Sequence, residues 1–134
     1  MKKHISVFAV LTLFLIMSTY SFAEPVAQKE ASNDSTASGK LENGIRTVEV
    51  KARKYMFIPD PIIVNLGEKV RLIVTSLDVT HGLAIDEFDI NIILNAHQVR
   101  TVEFTADKKG TFTIYCSVYC GEGHTRMRAN LIVK

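Results

Sequence analysis

The residues best suited to chemistry stand together near the C-terminus, in the stretch CSVYCGEGHTRM. It contains both cysteines of the 134-residue chain, Cys116 and Cys120, followed by His124 and Met127. Thiolate, imidazole and thioether groups are all metal ligands, and two glycines among them permit the backbone angles of a tight loop. The stretch therefore predicts either a metal site or a disulfide between the two cysteines.

The soft donor set favours copper over the two alternatives. A Cys116–Cys120 disulfide would close a very short loop, which gains little stabilisation, and would leave His124 and Met127 without a role. It remains an expected form of the metal-free protein. A structural zinc site would use both cysteines, His124 and one further histidine, but a thioether adds nothing to it. Thiolates, imidazole and a weak thioether together are typical of copper electron-transfer sites.

A second imidazole for such a site must come from elsewhere in the chain. In TSLDVTHGLAID, His81 directly follows a predicted strand, although a turn histidine without a ligand role has the same appearance. Asp78, three residues earlier, would either support that loop by hydrogen bonding or simply form a turn. His97 lies in a polar turn and is expected to be solvated, and His4 belongs to the N-terminal segment.

Short strands are the elements that must position these residues. Alternating apolar and polar residues, rich in Val, Ile, Thr and Phe, predict about seven strands. They lie in RTVEVKARKYMFI, IIVNLGEKVRLIVTS, HGLAI, DINIIL, QVRTVEFTA, GTFTIYC and RMRANLIVK. Turn residues at 65–68 and 107–110 predict hairpins. The pattern indicates one all-β domain over residues 45–134, either a β-sandwich or a small barrel.

The N-terminal part has a different composition. Residues 1–23 combine a basic start, an apolar run and small residues at a cleavage position, which predicts a signal peptide or, alternatively, a single membrane anchor. Residues 24–44 are polar and predict a flexible linker. Of 16 Lys and Arg, two lie in the first segment, so 14 remain against 14 Asp and Glu. This balance excludes a nucleic-acid-binding protein and leaves an exported, nearly neutral domain.

The motifs taken together resemble those of a known family. The spacing Cys-x-x-x-Cys-x-x-x-His-x-x-Met, the upstream DVTHG and the aromatic strand YMFIP are similar to the copper A (CuA) domain of cytochrome c oxidase subunit II. They are also similar to the C-terminal domain of nitrous oxide reductase. The likeness covers about Arg46 to Lys134. It implies a cupredoxin fold, which is a Greek-key β-sandwich, holding a binuclear copper centre.

The resemblance also implies a role for each ligand. The thiolates of Cys116 and Cys120 would bridge two copper ions. One copper would also take His81 and Met127, and the other His124 and the backbone carbonyl of Val118. Many subunit II sequences carry Glu at the position of Val118, so a side-chain contribution to a magnesium site next to the catalytic subunit is missing here.

The function implied is one-electron transfer without a catalytic site in this chain. Electrons would come from a c-type cytochrome or similar donor and pass to a haem-containing oxidase subunit or another terminal acceptor, at the periplasmic or outer face of the cytoplasmic membrane. The chain would be an anchored subunit or a free carrier. It has no Trp, so Phe88 and Tyr119 are the candidate docking aromatics, unless both only pack. The alternative function is a periplasmic protein that stores or delivers copper for oxidase assembly.

Overall fold

A computed structural model describes residues 36–134, so the predicted signal or anchor segment and most of the predicted linker lie outside the described residues. Ten strands form this part of the chain. They are β1 Lys40–Glu42, β2 Ile45–Arg53, β3 Met56–Ile58, β4 Ile62–Val64, β5 Lys69–Ser76, β6 His81–Ile85, β7 Ile90–Leu94, β8 Val99–Thr105, β9 Gly110–Tyr115 and β10 Arg128–Val133. Within residues 36–134, no helix has the length and apolar character needed to span a membrane.

The strands form two sheets, which confirms the predicted all-β sandwich. One sheet has the order β1-β2-β5-β8 with β3 paired to β2, and the other has the order β4-β10-β9-β6-β7. The β2–β5 and β4–β10 pairs are parallel, and the other pairs are antiparallel. Alternation explains the core: in β5, Val70, Leu72 and Val74 are fully buried between the sheets while their neighbours face outward.

Two turns were predicted to connect hairpins, and both predictions are wrong. Residues 65–68 connect β4 to β5, and residues 107–110 connect β8 to β9, and in each case the two strands belong to different sheets. Turn residues indicate that the chain reverses, but the partner of each strand depends on which faces are buried together. The run RTVEVKARKYMFI is two strands, because β2 and β3 form a hairpin around Lys54 and Tyr55. Strand β1 lies inside the predicted linker, so the sheet begins before residue 45.

The two ends of the sandwich differ in character. We call the end where β5 stops at Ser76 and β6 begins at His81 the site pole. At the opposite end, the far pole, the chain enters the domain: the Ser38 N–H donates to the Ile63 carbonyl at 2.7 Å, and the C-terminal Lys134 N–H donates to the Val64 carbonyl at 3.2 Å. Ser38 and Lys134 therefore both lie at the far pole.

A largely buried ion pair between Arg46 and Glu68 stabilises the far pole. Arg46 is 3% exposed and binds Glu68 with two nitrogens, one of them Nη2 at 2.7 Å from Oε1, while its Nη1 donates to the Ser38 carbonyl at 3.2 Å. Burial would raise the pKa of Glu68, but hydrogen bonds from Arg46 and Asn65 and the charge of Arg46 lower it below its ordinary value of 4.5. The pair joins the entering segment to the turn before β5.

Candidate metal centre

The candidate ligands are presented by the loop that joins β9 to β10. Cys116 directly follows β9, and its N–H donates to the Met127 carbonyl at 3.1 Å, so the base of the loop continues the β9–β10 ladder. A short 3₁₀ turn, His124–Arg126, precedes Met127, and the His124 N–H donates to the Gly121 carbonyl at 2.9 Å. The loop thus returns on itself and brings its first and last residues side by side.

All six predicted ligand residues lie close together at the site pole. The Cys116 and Cys120 sulfurs are 3.6 Å apart. His81 Nδ1 lies 3.9 Å from the Cys116 sulfur, and the Val118 carbonyl oxygen lies 3.1 Å from it. On the other side, the Cys120 sulfur lies 3.9 Å from Nδ1 of His124 and 3.8 Å from the sulfur of Met127.

The cluster is largely shielded from water. His81 and Met127 are completely buried, and Cys116 and Cys120 are 4% and 5% exposed. Only His124 and Val118 are partly accessible. Both cysteines are free thiols. Burial, together with the neighbouring thiol of Cys116, raises the pKa of Cys120 to about 11. A metal that binds as the thiolate complex must therefore displace protons.

Asp78 orients the buried imidazole. Its Oδ1 lies 2.7 Å from His81 Nε2, which leaves Nδ1 directed at the sulfurs. Burial raises the pKa of Asp78, but hydrogen bonds from the Lys54 N–H, the His81 ring and the Val79 N–H outweigh this and lower it to about 2. The ionised carboxylate favours a proton on Nε2 and a lone pair on Nδ1. The predicted hydrogen-bonding role of Asp78 is present in the structure.

The start of the loop lies directly against β6. A side chain at Gly82 would meet Ser117 Oγ at 2.1 Å and the amide nitrogens of Ser117 and Val118 at 2.9 Å, so only glycine permits this approach. From β7, Asn91 fixes the same segment, because Ser117 Oγ donates to its Oδ1 at 2.7 Å. Sequence reasoning missed Asn91, since a polar residue in an alternating strand carries no signal of a long-range contact.

Tyr55 covers the second half of the loop. A side chain at Gly121 would lie 2.5 Å from the Tyr55 hydroxyl, and one at Gly123 would lie 2.2 Å from its ring. Tyr55 sits in the β2–β3 turn, next to Lys54, whose N–H binds Asp78. The same turn therefore supports both the His81 side and the His124 side of the cluster. The aromatic run in the sequence was the only signal of this contact.

His97, Phe88 and Tyr119 were also named from the sequence, and only Tyr119 lies at the site. His97 is exposed, as predicted, and lies apart from the metal-ligating cluster found among residues 36–134. Phe88 is a packing aromatic, half-buried with ring centroids 4.8 Å from Phe104 and 5.1 Å from Phe112. Tyr119 is 74% exposed, and its ring lies 5.8 Å from that of His124. Of the two candidate docking aromatics, only Tyr119 is at the site.

The donor chemistry fits copper. Two thiolates, two imidazoles and a thioether are soft or intermediate ligands, whereas magnesium and calcium require oxygen donors. Among residues 36–134, the ligand atoms of His81, Cys116 and Cys120 all lie within 4.8 Å of one another. The two-sheet architecture is the cupredoxin fold, as expected. Fold and ligand set together define a copper protein of the cupredoxin class.

Within that class, the chain belongs to the family "Cytochrome C oxidase subunit II, periplasmic domain", whose model matches residues 39–133. The family and the ligand set support copper-mediated electron transfer and a periplasmic location for the domain.

The chain is also similar to individual proteins that contain related domains. The chain is 37% identical to a nitrous-oxide reductase of Ralstonia nicotianae over 109 residues, which are 78% of this chain and 17% of the reductase. It is 36% identical to cytochrome c oxidase subunit 2 of Thermus thermophilus over 88 residues, which are 66% of this chain and 65% of that subunit. A solved heme-copper terminal oxidase dimer contains a chain that is 29% identical, with a TM-score of 0.62, covering 72% of this chain and 71% of that one.

Proposed function

We propose that this domain is a one-electron carrier with a binuclear CuA centre. Cys116 and Cys120 would contribute both bridging thiolates, His81 and His124 one imidazole each, Met127 a thioether, and Val118 its backbone carbonyl. The main support for this proposal is the position of the two buried thiols. The Cys116 and Cys120 sulfurs are 3.6 Å apart, and each lies 3.9 Å from an imidazole nitrogen, of His81 and His124 respectively. A mononuclear site would leave the second cysteine without a function.

When bound, copper supplies a one-electron couple at these ligands, and the surrounding residues keep the ligand positions fixed. The loop is bonded at its base, covered by Tyr55 and packed against Gly82, so the ligands have little freedom to move. Burial of His81, Cys116 and Met127 excludes water from the sulfurs. Both features favour fast electron exchange, because little rearrangement of protein or solvent accompanies the change of charge.

The proposal includes the wider organisation of the chain. Residues 1–23 would act as a signal peptide or single anchor, and the segment before β1 as a linker, placing the domain in the periplasm or at the outer face of the cytoplasmic membrane. The electron donor would be a c-type cytochrome or similar protein, and the acceptor a haem-containing oxidase subunit or another terminal enzyme. The subunit 2 and terminal oxidase relatives support this assignment.

Burial of the ligands argues against the alternative of copper delivery. A protein that hands copper to a partner needs ligands which the partner can reach, but three of the side chains, His81, Cys116 and Met127, are at most 4% exposed. The two functions also differ in stoichiometry. A carrier of this kind binds two copper ions per chain, whereas a delivery protein typically binds one Cu(I).

The decisive experiment is to load the full-length chain with copper and measure copper content, absorption and paramagnetic resonance. We expect two copper ions per chain and the spectrum of a single electron shared between two coppers. A colourless species with one copper per chain would contradict the proposal and support delivery.

Variants separate the roles of the ligands. Cys116→Ser and Cys120→Ser should each abolish the two-copper signal, because each removes a bridge. Met127→Leu should retain the signal and shift the reduction potential, because a thioether is a weak ligand. His97→Ala is the matched control for histidine loss, since His97 is exposed and outside the cluster, and it should behave as wild type. Equal copper loss in the cysteine and Met127 variants would contradict the assigned roles.

A further inference from the structure

The site pole exposes large apolar side chains in segments that contact the ligand cluster. Tyr119 is 74% exposed beside His124. Leu77 is 42% exposed next to Asp78, and Met56, 41% exposed, pairs with Arg53 at the β2–β3 hairpin. Exposed apolar residues grouped around a functional site are typical of surfaces that bind another protein.

Basic side chains are also present at the site pole. Arg53 and Lys54 occupy the β2–β3 turn, Arg126 lies in the 3₁₀ turn after His124, and Arg128 begins β10. Arg100 is two residues beyond Gln98, whose carbonyl accepts the Ser76 N–H at the end of β5. We call these five residues the site-pole cations. All five are exposed, and none forms an ion pair with another residue in the range 36–134.

The charge is unevenly distributed between this pole and the rest of the domain. Against the five site-pole cations stand three acidic residues. The carboxylate of Asp78 is already bonded to His81 and the Lys54 N–H, Glu122 lies in the loop, and Asp86 accepts a hydrogen bond from Tyr115, the cross-strand partner of Arg128. The rest of residues 36–134 carries eight basic and eight acidic side chains. A domain that is almost neutral overall therefore presents a positive face around its metal site.

A cleft leads from this face to the cluster. It has a volume of about 350 Å³ and is lined by the ligands Cys116, His124 and Met127 together with Arg128. The lining also includes Tyr115, whose hydroxyl donates to Asp86 at 2.7 Å. Arg128 therefore places a positive charge in the same cleft as three of the candidate ligands.

We propose that the site pole is the docking surface for an electron-transfer protein whose own docking face is acidic around an apolar redox centre. Tyr119, Leu77 and Met56 would form the apolar middle of the contact, and the site-pole cations its charged rim. This inference rests on the proposed electron-transfer function and specifies the partner. Complementary charge of this kind speeds encounter by roughly 10 to 1,000 fold, and the effect weakens as salt is added.

The surface can be tested with a small anion that carries no redox chemistry. Hexacyanochromate(III) is paramagnetic and broadens the NMR signals of residues near which it binds. We expect the amide signals of the site pole, on the full-length copper-free chain, to broaden first at low ionic strength. The broadening should disappear near ~1 M salt, where the Debye length is about 3 Å.

Charge-reversal variants supply the matched comparison. Arg53→Glu with Arg126→Glu should remove the broadening at the site pole. Lys40→Glu with Lys109→Glu changes the net charge equally but away from that pole, and should leave it unchanged. Equal effects of the two pairs, or broadening centred on far-pole lysines in the wild type, would overturn the proposal.

Oxidation of the reduced, copper-loaded chain gives a second readout. Hexacyanoferrate(III) and tris(phenanthroline)cobalt(III) each accept one electron and carry opposite charges. The rate with the anion should fall as salt is added, and should fall about tenfold in the site-pole double variant at low salt. The rate with the cation should rise in both cases. The reverse pattern would overturn the docking surface, whereas a wild-type chain that reduces neither oxidant would refute the electron-transfer function and leave the NMR result to decide the surface.

Discussion

Replacing Gly82 by alanine tests how tightly the metal loop is held against β6. The new Cβ would lie 2.9 Å from the amide nitrogens of Ser117 and Val118, and ordinary contact begins near 3.4 Å, so the loop backbone must move by about 0.5 Å. Overpacking of this kind costs about 1 to 3 kcal/mol. Ser117 Oγ, only 2.1 Å away, must also rotate and lose its bond to Asn91, which adds ~1 kcal/mol.

The expected result is a loss of roughly 2 to 4 kcal/mol in the free energy of unfolding of the copper-free chain, measured by chemical denaturation. The displaced Val118 carbonyl should also alter the spectrum of the copper-loaded protein. Gly67→Ala is the control, because no atom would lie within 4 Å of the added Cβ. The φ of +82° at this position still makes alanine cost ~1 to 2 kcal/mol. That variant should lose stability and keep the wild-type spectrum.

Two outcomes would refute the reasoning. If Gly82→Ala retains wild-type stability and spectrum, the close approach of loop and strand does not exist in solution. If adding Ser117→Ala restores both completely, the clash involves only the Ser117 side chain and the backbone contact is unimportant. The expected outcome is partial recovery, because the contact with the two amide nitrogens remains.

Three further predictions concern the supports of the site and the fold. Asn91→Ala should lower the unfolding free energy by about 1 kcal/mol and speed copper loss to a chelator, because Ser117 loses its partner; Asn91→Asp, which keeps the acceptor, should restore both. Tyr55→Ala should cost ~2 kcal/mol and broaden the copper spectrum, while Tyr55→Phe, which keeps the ring over the loop glycines, should stay near wild type. Because the folded pKa of Glu68 is lowered, its contribution to stability is present above pH ~4.5 and declines as the pH falls below that value. Denaturation between about pH 3 and 6 should therefore show a shallower pH dependence for Glu68→Gln than for wild type, and parallel curves would contradict the role of its pair with Arg46.

The cluster of candidate ligand residues could be predicted from the sequence because most of its members are close together in the chain. Five of the six candidate ligand residues lie within one loop, and their types and spacing favour copper. His81 became a candidate ligand because a copper site in that loop would need a second imidazole. The all-β class followed from alternation, since a period of two is a direct consequence of strand geometry.

The sequence pattern did not predict which strands pair or which distant residues contact the ligand loop. The residue types at 65–68 are those of a hairpin turn, yet the strands on either side of it belong to different sheets. The partner of each strand depends on which of its faces is buried in the core. The contacts of Asn91 with Ser117, and of Tyr55 with the loop glycines, join residues 26 or more positions apart. Such contacts depend on the assembled fold, and a single sequence does not encode them in a short motif.

The far pole has a consequence for how the molecule can be handled and displayed. Both ends of the described chain, near Ser38 and at Lys134, are bonded there, on the side away from the ligands. A label, a surface linker or a fused protein joined at either end would therefore leave the face around Tyr119 open. On an electrode, attachment near Ser38 would present that face to solution, whereas attachment through Lys54 would turn it toward the support.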